Sequence, residues 1–118
     1  MDASDRAALD RAAARLRRLD WYPRPVRTRR VRLLVAPWLF RLPWFRRYAG
    51  YATHFVLFFR DDAAAASDDL VTHELCHVWQ MQHRPFSMPL SYLHRGYKGN
   101  PYELEARRAV EATRPGLD

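Results

Sequence analysis

Cysteine occurs once in this chain of 118 residues, at Cys76, so neither an intramolecular disulfide framework nor a Cys-rich zinc module can form. A lone thiol is compatible with a reducing compartment. Lysine also occurs once, at Lys98, although basic residues number 20 and the formal net charge is +7. The charge is carried by arginines scattered through the N-terminal half rather than gathered in one stripe. With Ala and Asp abundant and Lys nearly absent, this pattern fits GC-rich coding better than an anion-binding face, and nucleic acid is not an expected partner. No run of 18 or more apolar residues exists. The most apolar stretch, "VRLLVAPWLFRLPWF" (31–45), is broken by Arg32, Pro37, Arg41 and Pro43, so no transmembrane segment is expected. The first twenty residues lack the apolar region of a secretory signal. Internal repeats, linkers and low-complexity tails are also missing. These absences point to a soluble, cytoplasmic protein with one domain over 1–118. An apolar fraction of 48% and an aromatic fraction of 14% supply a real core and argue against disorder.

The pattern of apolar residues divides the chain into segments. Leu9, Ala12, Leu16 and Leu19 share one face of a helix over 4–19, with Ser4 or Asp5 as cap. "WYPRP" (21–25) ends it. "VRTRRVRLLVA" (26–36) reads as a strand. The aromatic connection 37–50 holds one or two helical turns. Its Trp38, Phe40, Trp44, Phe45 and Tyr48 are expected to cover the core beside that strand, the other reading being a membrane-interface anchor. "YATHFVLFF" (51–59) reads as a second, buried strand. A helix is expected over 68–83, capped by Ser67 or Asp68 and stopped before Pro85. Residues 84–100 read as mostly irregular. A last helix starts at Pro101 with Asn100 as its cap and stops at "RPG".

The chemistry lies in "THELCHVWQMQH" (72–83). Residues four apart share a helix face, so His73 and His77 can aim at one metal ion. Glu74 lies about 100° round from His73, within reach of a water on that ion but not placed to be a ligand. Zinc acidifies such a water, and a neighbouring carboxylate takes its proton during attack on a carbonyl. A catalytic zinc has three protein ligands and a water, so one more is needed. His83 has the spacing of the metzincin motif H-E-x-x-H-x-x-G-x-x-H, and Met88 in "FSMPLSY" would stand for its Met-turn. Gln80 occupies the glycine position of that motif. Without a glycine the helix continues, and His83 falls about 240° round from His77, off the metal face.

The other candidate is Glu103 in "NPYELEAR" (100–107). H-E-x-x-H followed by a helix bearing E-x-x-A resembles the gluzincin metallopeptidases. "HELCHVWQ" together with "GYKGNPYELEA" is similar to small stand-alone bacterial proteins of that type. The resemblance covers about residues 51–110. It implies that Glu103 is the third zinc ligand and that Ala106 is the small residue allowing close helix packing. The family pattern has an aspartate after that small residue, where it orients a ligating histidine. Here the position is Arg107, which as an ordinary i,i+4 partner would pair with Glu103.

The other residues carry weaker readings. Gln80 repeats on the His73 face and either backs a metal ligand, lines the cleft or sits on the helix surface. Cys76 reads as a small core residue. Tyr97 and Tyr102 either pack or donate to an oxyanion. His54 and His94 lack ligand spacing. The fold expected is therefore α+β: a minimal zincin-like domain with a small sheet, an H-E-x-x-H helix and a C-terminal helix carrying the third ligand, its metal core at about 51–113. The function expected is a zinc-dependent metallopeptidase-like hydrolase acting on a peptide or protein substrate. His73, His77 and Glu103 would hold Zn2+ and Glu74 would activate the bound water. The alternative is a catalytically degenerate, metal-stabilised domain that binds a partner, a reading that Arg107 and the small size favour.

Overall fold

In the computed structural model, which describes residues 1–115, five helices surround a three-stranded mixed sheet, an α+β arrangement. Helix α1 spans Ala3–Leu16, strand β1 Arg32–Val35, β2 Gly50–Ala52 and β3 Val56–Phe59. Helices α2 (Asp62–Ala65), α3 (Asp68–His83), α4 (Ser87–Arg95) and α5 (Pro101–Thr113) follow. The sheet order is β1-β3-β2, with β1 parallel and β2 antiparallel to the central β3. Helix α3 lies at the centre, packed against α1, α5 and β2. Among the described residues, no helix is long and apolar enough to cross a membrane.

Two helices follow the sequence closely. Ser67 caps α3 by accepting from Leu70 N, and the helix runs through Gln80 to His83 without interruption. Asn100 caps α5 by accepting from Tyr102 N at 2.9 Å, with Pro101 in the first turn where its missing N–H costs nothing. The expected stop at Gly116 lies outside the described residues. In α1 the cap is Asp2 rather than Ser4 or Asp5. Asp2 and Asp5 form a reciprocal capping box, and the helix closes at Leu16 instead of 19. Ala8, Leu9, Ala12, Ala13 and Leu16 are buried along its inner face.

Four expectations need correction. The strand over 26–36 shortens to Arg32–Val35. Helix side chains, not a neighbouring strand, take up the backbone before it. Gln82 bonds both Arg27 N (3.0 Å) and Arg27 O (2.7 Å), Trp79 Nε1 donates to Arg24 O, and Arg6 donates to Thr28 O. The single strand over 51–59 is a hairpin, because Thr53 closes a turn with Val56 through both its backbone and its hydroxyl. The segment 84–100 contains α4. Its Pro89 falls in the first turn, where a helix has no use for the N–H, and Gly96 at φ 70° ends it by donating to Tyr92 O. Of the aromatic residues in the connection only Phe40 is buried, within a 3-10 turn at Leu39–Arg41, while Trp38 and Trp44 stand in solvent at 61% and 74% exposure.

Arg15 ties three helices together. From α1 it donates to Thr113 Oγ1 (3.2 Å) and Val110 O (3.0 Å) on α5 and to Asp69 on α3 (3.0 Å). Its guanidinium is nearly buried, so these bonds lack strong competition from water. Arg15→Ala should lower the free energy of unfolding in urea by about 2–3 kcal/mol, with no change in the residues available to bind metal.

Candidate metal centre

Helix α3 presents His73 and His77 one turn apart, with ring centroids 5.0 Å apart. Helix α5 crosses beside it, and buried Ala106 and Ala109 let the two axes approach. That approach places Glu103 between the imidazoles. Its Oε1 lies 2.7 Å from His73 Nε2 and its Oε2 lies 2.9 Å from His77 Nε2. One ligand atom from each of the three residues lies within 4.8 Å of the others, a cluster able to hold a metal ion. Glu103 is 2% exposed.

His83 stays outside this cluster. Its Nδ1 faces Trp79 O at 3.1 Å, its Nε2 accepts from Arg24 N at 3.2 Å, and its ring stacks on Tyr22. The continuous helix carries it to the far side of α3, as the helical angle requires.

Gln80 holds His77 in place. It is fully buried, and its Nε2 donates to Tyr102 O (2.8 Å) and to Glu105 Oε1 (3.1 Å). Those two acceptors fix the amide orientation, so Oε1 faces His77 Nδ1 at 2.8 Å and accepts a hydrogen bond from it. A histidine anchored at Nδ1–H presents Nε2 to the metal position, the usual arrangement for an oriented ligand. The sequence left Gln80 open between backing a ligand, lining the cleft and the helix surface; the structure puts it behind the ligand. Its seven-residue spacing from His73 was the signal.

Tyr92 and Tyr97 also donate to Glu103, at 3.2 and 2.8 Å. Tyr97 was a candidate in the sequence. Tyr92 was missed because its helix was missed; Met88 and Tyr92, one turn apart and facing inward, were the available sign. Burial raises the Tyr97 phenol to about 12, helped by its bond to the Glu103 carboxylate. Tyr102 is half-buried and packs against the core. Cys76 is buried in that core, and burial pushes its thiol well up, so it stays a protonated apolar filler. His54 is exposed, with its Nε2 3.3 Å from Pro85 O, and His94 is exposed at the end of α4.

The charges balance across the cluster. Burial works to raise the Glu103 carboxyl, but the bonds from His73 and His77 outweigh it and hold the group well below its ordinary range. Burial works to lower His77, but the bond to Glu103 and the charge of Glu74 outweigh it and raise it. Burial raises Glu74, with the histidines pulling it part of the way back. Glu74 has no hydrogen-bonding protein partner among the described residues. Instead it abuts β2, where a Cβ on Gly50 would come within 3.0 Å of Glu74 Cγ and 3.1 Å of Oε2. Arg107 lies 3.9 Å from Glu103 Oε1 with its side chain 56% exposed, a weak rim contact rather than a member of the donor set.

The cluster opens into two cavities that share His73, Glu74, Glu103 and Tyr97 in their walls. The larger, of about 740 Å³, runs past Phe45, Tyr51, Met81, Met88 and Tyr92. The smaller, of about 480 Å³, runs past Arg47, Arg107 and Glu111. No protein-family model, curated protein or solved structure matches the chain.

Metal analysis of the purified protein should find a bound ion that is lost in Glu103→Ala and retained in His83→Ala. Gln80→Leu, which removes the partner of His77 Nδ1, should weaken metal affinity by about 10–100-fold in a competition titration.

Proposed function

We propose that the chain is a zincin-like domain of gluzincin type and a zinc-dependent peptidase-like hydrolase. The observation that carries this reading is the convergence of His73, His77 and Glu103 on one point, with Glu74 beside it at the cleft wall. Two imidazoles and a carboxylate form the donor set of a catalytic zinc with an open position. Such an ion, when bound, supplies Lewis acidity and acidifies water.

The remaining chemistry belongs to the protein. Glu74, raised by burial and open to the cleft, takes the proton of the attacking water and passes it to the departing amine. Gln80 keeps His77 aimed through Nδ1. Tyr92 and Tyr97 hold Glu103 at the edge of the cluster, each donating its one phenol hydrogen bond to the carboxylate. Gly50 leaves room for Glu74 against the sheet. An extended peptide can add a strand to a sheet edge, and the hairpin over 50–59 borders the site. Within it only β2 is an edge strand, and β2 lines the cleft, so β2 is the segment suited to that pairing.

A second reading keeps the metal and drops the reaction. Arg107, standing where gluzincins carry an aspartate, favours a degenerate domain that binds a partner. Glu74→Gln separates the two. The hydrolase reading expects unchanged zinc content and a loss of about 10²–10⁴-fold in peptide hydrolysis. Undetectable hydrolysis by the zinc-loaded wild type across a peptide library supports the degenerate domain instead.

A further inference from the structure

All the acidic residues lie in three parts of the chain: 1–20, 61–74 and 101–118. Between them, residues 21–60 carry nine arginines and no Asp or Glu, and residues 84–100 carry Arg84, Arg95 and Lys98 and no Asp or Glu. These two acid-free segments border the larger cavity. Trp44 and Tyr51 stand on one wall and Pro89 and Gly96 on the other, and His54 meets the Pro85 carbonyl across the gap.

The same segments expose large apolar side chains. On α4, Phe86 just before the helix, Leu90 and Leu93 follow i, i+4, i+7 spacing and form an outward stripe, with Phe86 78% and Leu93 81% exposed. The opposite side of α4 buries Met88 and half-buries Tyr92, so the helix is inserted by one face and leaves the other without a partner. In the other acid-free segment Leu42, Trp44 and Phe55 are exposed as well, with Trp44 in the cavity wall. Solitary exposed apolar residues are ordinary. A stripe of three on one helix, beside a cavity that exposed Trp44 also lines, marks an interaction surface.

The charge pattern says what covers it. Arg41, Arg46 and Arg47 flank Leu42 and Trp44, and Arg84, Arg95 and Lys98 flank the α4 stripe; neither segment has a carboxylate of its own, and those of α3 and α5 that share a cavity with Arg47 line its inner wall. Apolar and aromatic side chains at headgroup depth, ringed by cations, suit a surface that lies on an anionic bilayer rather than spanning one. We propose that the rim of the cleft, formed by 41–55 and α4, docks on an anionic lipid membrane. Docking there turns the mouth of the larger cavity toward the lipid surface. The surface stands on its own residues and does not require that the protein hydrolyse anything.

The test is flotation of the full-length protein with vesicles of phosphatidylcholine alone and of phosphatidylcholine mixed with phosphatidylserine, followed in parallel by tryptophan fluorescence. Association with the serine-containing vesicles is expected, with a blue shift in emission and weakening as salt rises. Leu90→Asp combined with Leu93→Asp should weaken partitioning at least about tenfold, and Arg46→Glu combined with Arg47→Glu should do the same. Neither pair touches the core, so unchanged thermal unfolding will show that the variants are folded. Failure to float with anionic vesicles at low ionic strength would overturn the proposal. So would wild-type flotation by the Leu90/Leu93 variant, or preferential binding of double-stranded RNA that both wild type and that variant share.

Discussion

The carboxylate of Glu103 accepts hydrogen bonds from His73, His77, Tyr92 and Tyr97. Those four donors come from α3, α4 and the loop that follows it, while the acceptor rides on α5. A buried anion is costly unless its lone pairs are filled, so these elements cannot shift apart without stranding it. Burial and partnership pull in opposite directions on this group, and partnership wins: the carboxyl stays ionised. The same ionised group, facing two imidazole Nε2 atoms, is the one that would share a metal with them. Structure and site therefore hang on one side chain, and Asn100 fixes where its helix begins, tying the first turn of α5 to Ser91 and Gly96.

Around that centre, two small choices of residue do opposite things to the backbone. Gln80 keeps α3 helical where a glycine would let it turn. That removes His83 from the site and provides the amide that aims His77. Gly50, on β2, removes a side chain where any Cβ would press on Glu74. Arg107, one turn after Glu103, is left at the rim. His77 is oriented from α3 itself, by Gln80, which Glu105 holds in turn with Tyr22 behind it.

Elements governed by local chemistry were legible in the sequence. Ser67 and the run to His83 mark α3 at both ends, Asn100 with Pro101 marks α5, and the helical angle separates His77 from His83. The trio His73, His77 and Glu103 was legible because two short motifs specify it. What could not be read depends on distant parts of the chain. Strand β1 is short because Gln82 and Trp79, on a helix far along the sequence, satisfy the backbone before it. The β2–β3 turn carries no glycine, proline or asparagine, since a threonine hydroxyl does their work. Helix α4 looked irregular because Pro89 is read as a breaker until its place in the first turn is known. Trp38 and Trp44 were expected to cover the core; Phe40 fills the buried place and leaves them outside.

The central claim is that three residues from two helices share one ion. Zinc X-ray absorption of the loaded protein reads the donor atoms directly. Scattering from two imidazoles and oxygen donors, with no sulfur, is expected, and Glu103→Ala should lose that signature. A zinc–sulfur shell from Cys76, or a three-imidazole signature that requires His83, would contradict it.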